Sequence, residues 1–194
     1  DAARPKVRIA KVYAGHARAG WPMAKVDVEA ERRRVEAQLA PVMAAMPDIE
    51  FIDAGLVTAD TQIPEVKEKC RAADGVLVMQ LTMGVGGLLS AMLDLGVPVV
   101  LFAEPYCGHD WHTVASLQRE GKRIDCWASS RFEDVAAAIR PIRAIRRLRD
   151  AKVLHVSQGD ANAEYVKLVK DKFGTEIKSL HLADLEAAYK AVSR

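Results

Sequence analysis

Cysteine is scarce: Cys70, Cys107 and Cys126 are the only three. An odd number at wide spacing supplies neither a disulfide framework nor a C-x-x-C metal knuckle, so free thiols are expected. Long apolar runs are missing as well. The hydrophobic stretches are short and broken by charge or by Gly and Pro, whereas a bilayer-crossing helix needs about 20 residues. No transmembrane segment and no membrane partner is therefore expected. Neither sign of charge dominates, since 28 Lys and Arg stand against 26 Asp and Glu for a formal net charge of +2. That balance removes the electrostatic reason to expect nucleic acid and fits a small ligand better. Neither a G-x-S-x-G elbow nor an H-E-x-x-H pair is present. The chain opens Asp1-Ala2-Ala3-Arg4-Pro5 without an initiating Met. Such a start fits either a cut boundary or the mature end of an exported protein; the reading favours the cytoplasm.

What is there is a repeating β-α pattern. Half of the residues are hydrophobic and 28% are charged over 194 positions, enough for one sizeable core. Short β-rich runs alternate with amphipathic segments, the signature of a parallel sheet. The strands are read at Val7–Tyr13, Ile49–Ile52, Val76–Leu81, Val99–Ala103 and Ile124–Trp127. The third is apolar on both faces, as a central strand covered on both sides must be. Between them, Asp27 caps a helix that Pro41 should kink, Pro64 suits the first turn of the next helix, and Gly96 stops the one after. A helix from about Trp111 to Arg119 follows the fourth strand. Ser130 and Glu133 read as a capping box for a helix carrying Phe132, Val135, Ile139, Ile142 and Leu148 on one stripe.

Five β-α units are complete by about residue 150. The expected fold is α/β, a flavodoxin/Rossmann-like doubly wound parallel sheet over 6–150. Residues 151–194 hold two further β-α units, which either extend that sheet or open a second α/β domain. The Arg-rich helix end at Arg140–Arg149 and the fresh strand Lys152–Val156 favour a second, truncated domain. His155, inside that strand, reads as a core residue.

In such sheets ligands bind at the carboxyl ends of the strands. Gly84-x-Gly86-Gly87 lies between a strand and a helix, where backbone N–H groups could cradle a phosphate. The spacing is not G-x-G-x-x-G, and the glycines also serve a tight turn. Cys107-x-His109-Asp110-x-His112 follows the fourth strand and matches no common closed zinc set. Asp110 suits a helix N-cap, and Trp111 offers an aromatic face of the kind that packs against sugar rings. His16, Arg18 and Trp21 follow the first strand, on the same rim. The candidate ligand contacts are therefore His16, Arg18, Trp21, His109, Asp110 and Trp111, with Gly84, Gly86 and Gly87 as a cofactor cradle. Glu104 reads as a rim residue bonding backbone. Arg32-Arg33-Arg34 and the Arg140–Arg149 run read as solvated faces or subunit contacts.

The run Asp74-Gly75-Val76-Leu77-Val78-Met79-Gln80, followed by Pro98-Val99-Val100-Leu101-Phe102-Ala103-Glu104-Pro105-Tyr106, resembles the N-terminal region of sugar isomerases of the L-fucose/L-arabinose type. The resemblance covers roughly residues 6 to 182 and rests on β-α framework more than on chemistry. It implies aldose–ketose isomerisation through an enediol, a manganese-like divalent ion, a sugar substrate and a homo-oligomer. In that family the metal-binding side chains come from later parts of a longer chain, so no catalytic or metal residue carries over. What carries over is a substrate-rim role for His16, Arg18, Trp21, His109 and Trp111. The alternatives are a sugar-binding lobe of periplasmic-receptor type and a flavodoxin-like nucleotide or phosphate binder using Gly84–Gly87.

Overall fold

A computed structural model describes residues 5–18, 25–107 and 109–192. Trp21 lies outside the described residues. The chain divides into two compact units, residues 1–142 and 143–194. In the first, β1 (Val7–Ala14), β2 (Ile49–Val57), β3 (Gly75–Gln80), β4 (Val99–Ala103) and β5 (Ile124–Ala128) form one parallel sheet in the order β2-β1-β3-β4-β5. The chain steps from β1 out to β2 and then reverses across β1 to β3. This is the doubly wound, Rossmann/flavodoxin-like arrangement that the alternating pattern predicts, and its switch point lies between β1 and β3.

Strand alternation splits the core into two layers. Val7, Ile9 and Tyr13 of β1 and Leu77 and Met79 of β3 face α1 (Val28–Ala44), α5 (Asp134–Ala138) and the first turn of α6 (Arg140–Asp150). Ala10, Val12, Ala14, Val76 and Val78 face α2 (Ile63–Cys70), α3 (Gly86–Leu93) and α4 (Trp111–Arg119). Every residue of β3 and β4 is buried, as central strands with helices on both faces require. No helix among the described residues is long and apolar enough to cross a membrane.

Gly75 opens β3 hard against Ile142. A Cβ there would lie 2.6 Å from Ile142 Cγ2. Gly75→Ala is therefore expected to lower stability by about 1–3 kcal/mol through overpacking, and by much less in an Ile142→Ala background. Equal losses in the two backgrounds on urea unfolding would contradict this packing.

Several local expectations change. Strand β2 continues past Ile52 to Val57. Its register with β1 slips between Lys11 and Val12, leaving Ala54 as the extra residue of a bulge beside Gly55 at φ 107°. Asp53-Ala54-Gly55 has turn chemistry, which hides the continuing strand. Pro41 sits inside α1, which continues to Ala44. The single helix expected from Phe132 to Leu148 is broken at Ile139, two residues before Pro141. Proline lacks an N–H and restricts the residue before it, so the ladder restarts there. The helix start is held by Ser129, not by a Ser130–Glu133 box. Ser129 Oγ donates to Asp134 Oδ2 at 2.6 Å and accepts from Arg131 N at 3.1 Å.

The second unit pairs β6 (Lys152–Ser157) in parallel with β7 (Glu176–His181) in a sheet of their own, with α7 (Ala163–Phe173) and α8 (Leu182–Ala191). Asn162 caps α7 by accepting from Tyr165 N, and Gly174 closes it at φ 77°, the left-handed end that glycine takes without penalty. His155 is exposed on β6 rather than a core residue. The strand has too few neighbours to bury it.

Candidate functional site at the strand ends

The carboxyl ends of β1 and β3 approach closely. Leu81 N donates to Ala14 O at 2.8 Å. A Cβ on Gly15 would meet Leu81 Cβ at 3.0 Å and Thr82 N at 3.2 Å, so only glycine lets the two strand ends come this near. His16, the next residue, ties three loops together. Its backbone N donates to Thr82 Oγ1 at 2.7 Å, while Nδ1 lies 2.7 Å from Thr58 O and Nε2 3.2 Å from Gly84 O. A neutral ring can donate to one of these carbonyls and an imidazolium to both.

The neighbouring knot is built on Asp110 and Gln80. Asp110 stands at the N-cap position of α4, yet its side chain makes no cap bond. Instead Oδ2 accepts from Gln80 Nε2 at 2.5 Å and from Gly84 N at 2.9 Å. Gln80 and Asp110 are 3% and 6% exposed, and Gln80 Oε1 is buried with no protein partner among the described residues. That oxygen still needs a donor, such as a water or hydroxyl. The Asp110 carboxylate stands on the Gly84 N–H where a phosphate would have to bind, and Gly86 and Gly87 are already in the first turn of α3. The strand-end geometry thus favours neutral hydroxyl groups over an anion at Gly84.

Asp110 also fixes the entrance to α4. Trp111 is 41% exposed, and its ring meets that of His109 edge-on at 6.1 Å between centroids. His112 turns back to the His109 carbonyl, with Nδ1 at 2.6 Å. Arg18 is exposed in the turn after β1. The structure therefore joins His16, Gly84 and Asp110 in one bonded chain and sets His109 and Trp111 beside it. Between His16, Val57, Asp60 and Gly84 only about 10 Å³ stays open, room for one water.

Cys107 is buried beneath this loop. Burial first, and then Glu104 and Glu31, push its thiol up to about 12, which favours the neutral thiol over the thiolate. Among the described residues no three His, Cys, Asp or Glu side chains converge as a metal set.

The sequence reading missed a second network on the α1 side. Glu104 does not bond backbone with its side chain: it pairs with Arg34 and accepts from Tyr106 Oη at 2.8 Å. Arg34 also holds Glu31 at 2.5 Å. Deeper, Lys11, 4% exposed in β1, bonds Glu36 Oε1 at 2.5 Å, and Tyr13 donates its hydroxyl to Glu36 Oε2. Arg32 lies over the Tyr13 ring at 5.3 Å and pairs with Asp53 at 2.9 Å. Two residues of the Arg32-Arg33-Arg34 run are therefore tied into the fold rather than solvated. Burial opposes ionisation of Glu36, but the bonds from Lys11 and Tyr13 outweigh it and hold the carboxyl below its usual range. The depression of about 570 Å³ beside this network is lined by Glu29, Arg32, Arg33, Glu36 and Asp53, of which Arg32 and Asp53 pair with each other and Glu36 pairs with Lys11.

No protein-family model and no curated protein matches the chain.

Proposed function

We propose that this chain is the N-terminal α/β portion of a sugar ketol-isomerase-like protein of the L-fucose/L-arabinose type, acting in a homo-oligomer and contributing a sugar-contacting rim. The observation that carries the reading is the exposed Trp111 indole, edge-on to His109 at the carboxyl end of the sheet. An aromatic face there packs against the apolar face of a sugar ring. The half-buried His16 and the exposed His109 on the same strand-end rim suit hydroxyls, while the buried Thr82 and Asp110 hold the loops that carry them.

Such a reaction would draw on a divalent manganese-like ion for polarisation of the sugar oxygens. In that family the metal-binding side chains come from later parts of a longer chain, so the reading assigns no residue here to the ion. The residues of this chain bind and orient, and transfer no proton.

The native gene product, supplied with manganese, is expected to form ketose from L-fucose or L-arabinose. Trp111→Ala should raise KM about tenfold with kcat nearly unchanged, the loss of a contact made equally in ground and transition states. A native product that binds these sugars without isomerising them would make the domain a receptor lobe. One that neither binds nor converts them would overturn the sugar reading.

A further inference from the structure

The depression on the α1 side has the size of a ligand site. Its volume of about 570 Å³ falls within the range of small-molecule pockets, roughly 300–1,000 Å³. Six of its seven lining residues come from α1, at positions 29, 32, 33, 36, 37 and 40. That spacing keeps them on one stripe of the helix. The seventh, Asp53, stands on the edge strand β2 just before its bulge.

Three of the charged side chains are already committed. Arg32 pairs with Asp53 at 2.9 Å and lies over the Tyr13 ring, Asp53 also accepts from Gly55 N at 2.9 Å, and Glu36 is held by Lys11 and Tyr13. These groups make a fixed, neutralised wall. Glu29 and Arg33 differ: neither has a hydrogen bond or an ion pair among the described residues. They stand i, i+4 with the acid first, the order in which such a pair closes most readily, yet each opens onto the depression separately. One and two turns beyond Arg33 on the same stripe, Ala37 and Ala40 are exposed and carry only a methyl group each. From its N-terminal end the stripe therefore presents an unpaired carboxylate, an unpaired guanidinium and a small apolar shelf.

We infer that this depression binds a free α-amino acid with an aliphatic side chain. The ammonium meets Glu29, the carboxylate takes the forked N–H donors of Arg33, and the side chain lies over Ala37 and Ala40. Charge decides the class. A zwitterion satisfies both open groups at once, whereas a simple anion at Arg33 is repelled by Glu29 and a simple cation at Glu29 is repelled by Arg33. A neutral sugar offers neither group a charge, so the inference is independent of the sugar reading.

An amide-resolved NMR titration with L-leucine and its two one-charge analogues, 4-methylpentanoate and 3-methylbutylamine, tests it. Leucine should shift the amides of residues 29–40 and 53–55 saturably, and each analogue should bind about tenfold more weakly or worse, the loss of one charge-assisted contact. Arg33→Gln should leave leucine no better a ligand than 3-methylbutylamine, and Glu29→Gln no better than 4-methylpentanoate. Ala37→Leu fills the shelf with a good helix former and should weaken leucine more than glycine. All three positions are exposed, so the variants keep the fold. A titration without saturable shifts on α1, analogues equal to leucine, shifts that sodium chloride reproduces, or an Arg33→Gln variant that binds leucine as before would overturn the inference.

Discussion

Asp110→Ala should destabilise the first unit by about 1–3 kcal/mol, because it takes away the acceptor of one N–H of the buried Gln80 amide. Gln80 Nε2 and Gly84 N both end on Asp110 Oδ2, and Gln80 is 3% exposed. Gln80 Nε2 keeps Thr82 O at 3.2 Å and Gly84 lies in an exposed part of the loop, so the cost falls on the amide hydrogen that loses Asp110. Asp110→Asn keeps an acceptor oxygen in place and should lose about half as much, a graded pair that simple loss of side-chain volume would not produce. The effect reaches the rim as well, because Gly84 also supplies the carbonyl facing His16 Nε2. Urea unfolding gives the comparison. A change within about 0.5 kcal/mol for Asp110→Ala, the range of ordinary surface substitutions, would mean that the knot does not hold the loops.

The second large effect is an asymmetry between the partners of one ion pair. Lys11 has a side chain 5% exposed, whereas that of Glu36 is 38% exposed. Removing Glu36 leaves a buried ammonium whose remaining partner is the Tyr13 hydroxyl at 3.4 Å. Glu36→Ala is accordingly expected to cost about 3 kcal/mol. Lys11→Met fills the same space with an apolar chain and leaves a carboxylate able to reach water, so its loss should be about 1 kcal/mol or less. The pair also has a pH signature. The folded carboxyl of Glu36 is lowered by Lys11 and Tyr13 against the opposing effect of burial. Its contribution is therefore complete above the ordinary carboxylate pKa of about 4.3 and fades as pH falls through the lower folded value. The double variant Lys11→Met/Glu36→Gln should lack that part of the acid limb. An unchanged acid limb would show that the pair carries no stability.

The hydrophobic periodicity made the sheet legible. Runs such as Val76–Leu81 and Val99–Ala103 are apolar on both faces, as strands inside a sheet covered on both sides must be. The helix at Trp111–Arg119 was legible for the same kind of reason: its stripe, its cap position and the glycine after it agree. What stayed hidden needed the third dimension. Asp110 looked like an ordinary N-cap, and only the closeness of β3 to the start of α4 turns its carboxylate toward Gln80 and Gly84. Gln80 carried a readable cue, as the one amide at the end of an otherwise apolar strand. Lys11 carried another, as a charge inside a strand buried on both faces. Neither cue names its partner, because Asp110 and Glu36 lie 30 and 25 residues away. The bulge at Ala54 was masked by residues that equally suit a turn.

The most direct measurement is an amide-resolved NMR titration of the chain with L-fucose and L-arabinose. If the strand-end rim receives the sugar, the shifts will concentrate at His16, Thr82, Gly84 and His109–Thr113 and disappear in Trp111→Ala. Shifts that gather instead around Arg32, Arg33 and Asp53 on the α1 side, or a spectrum that neither sugar changes, would contradict the assignment of the rim.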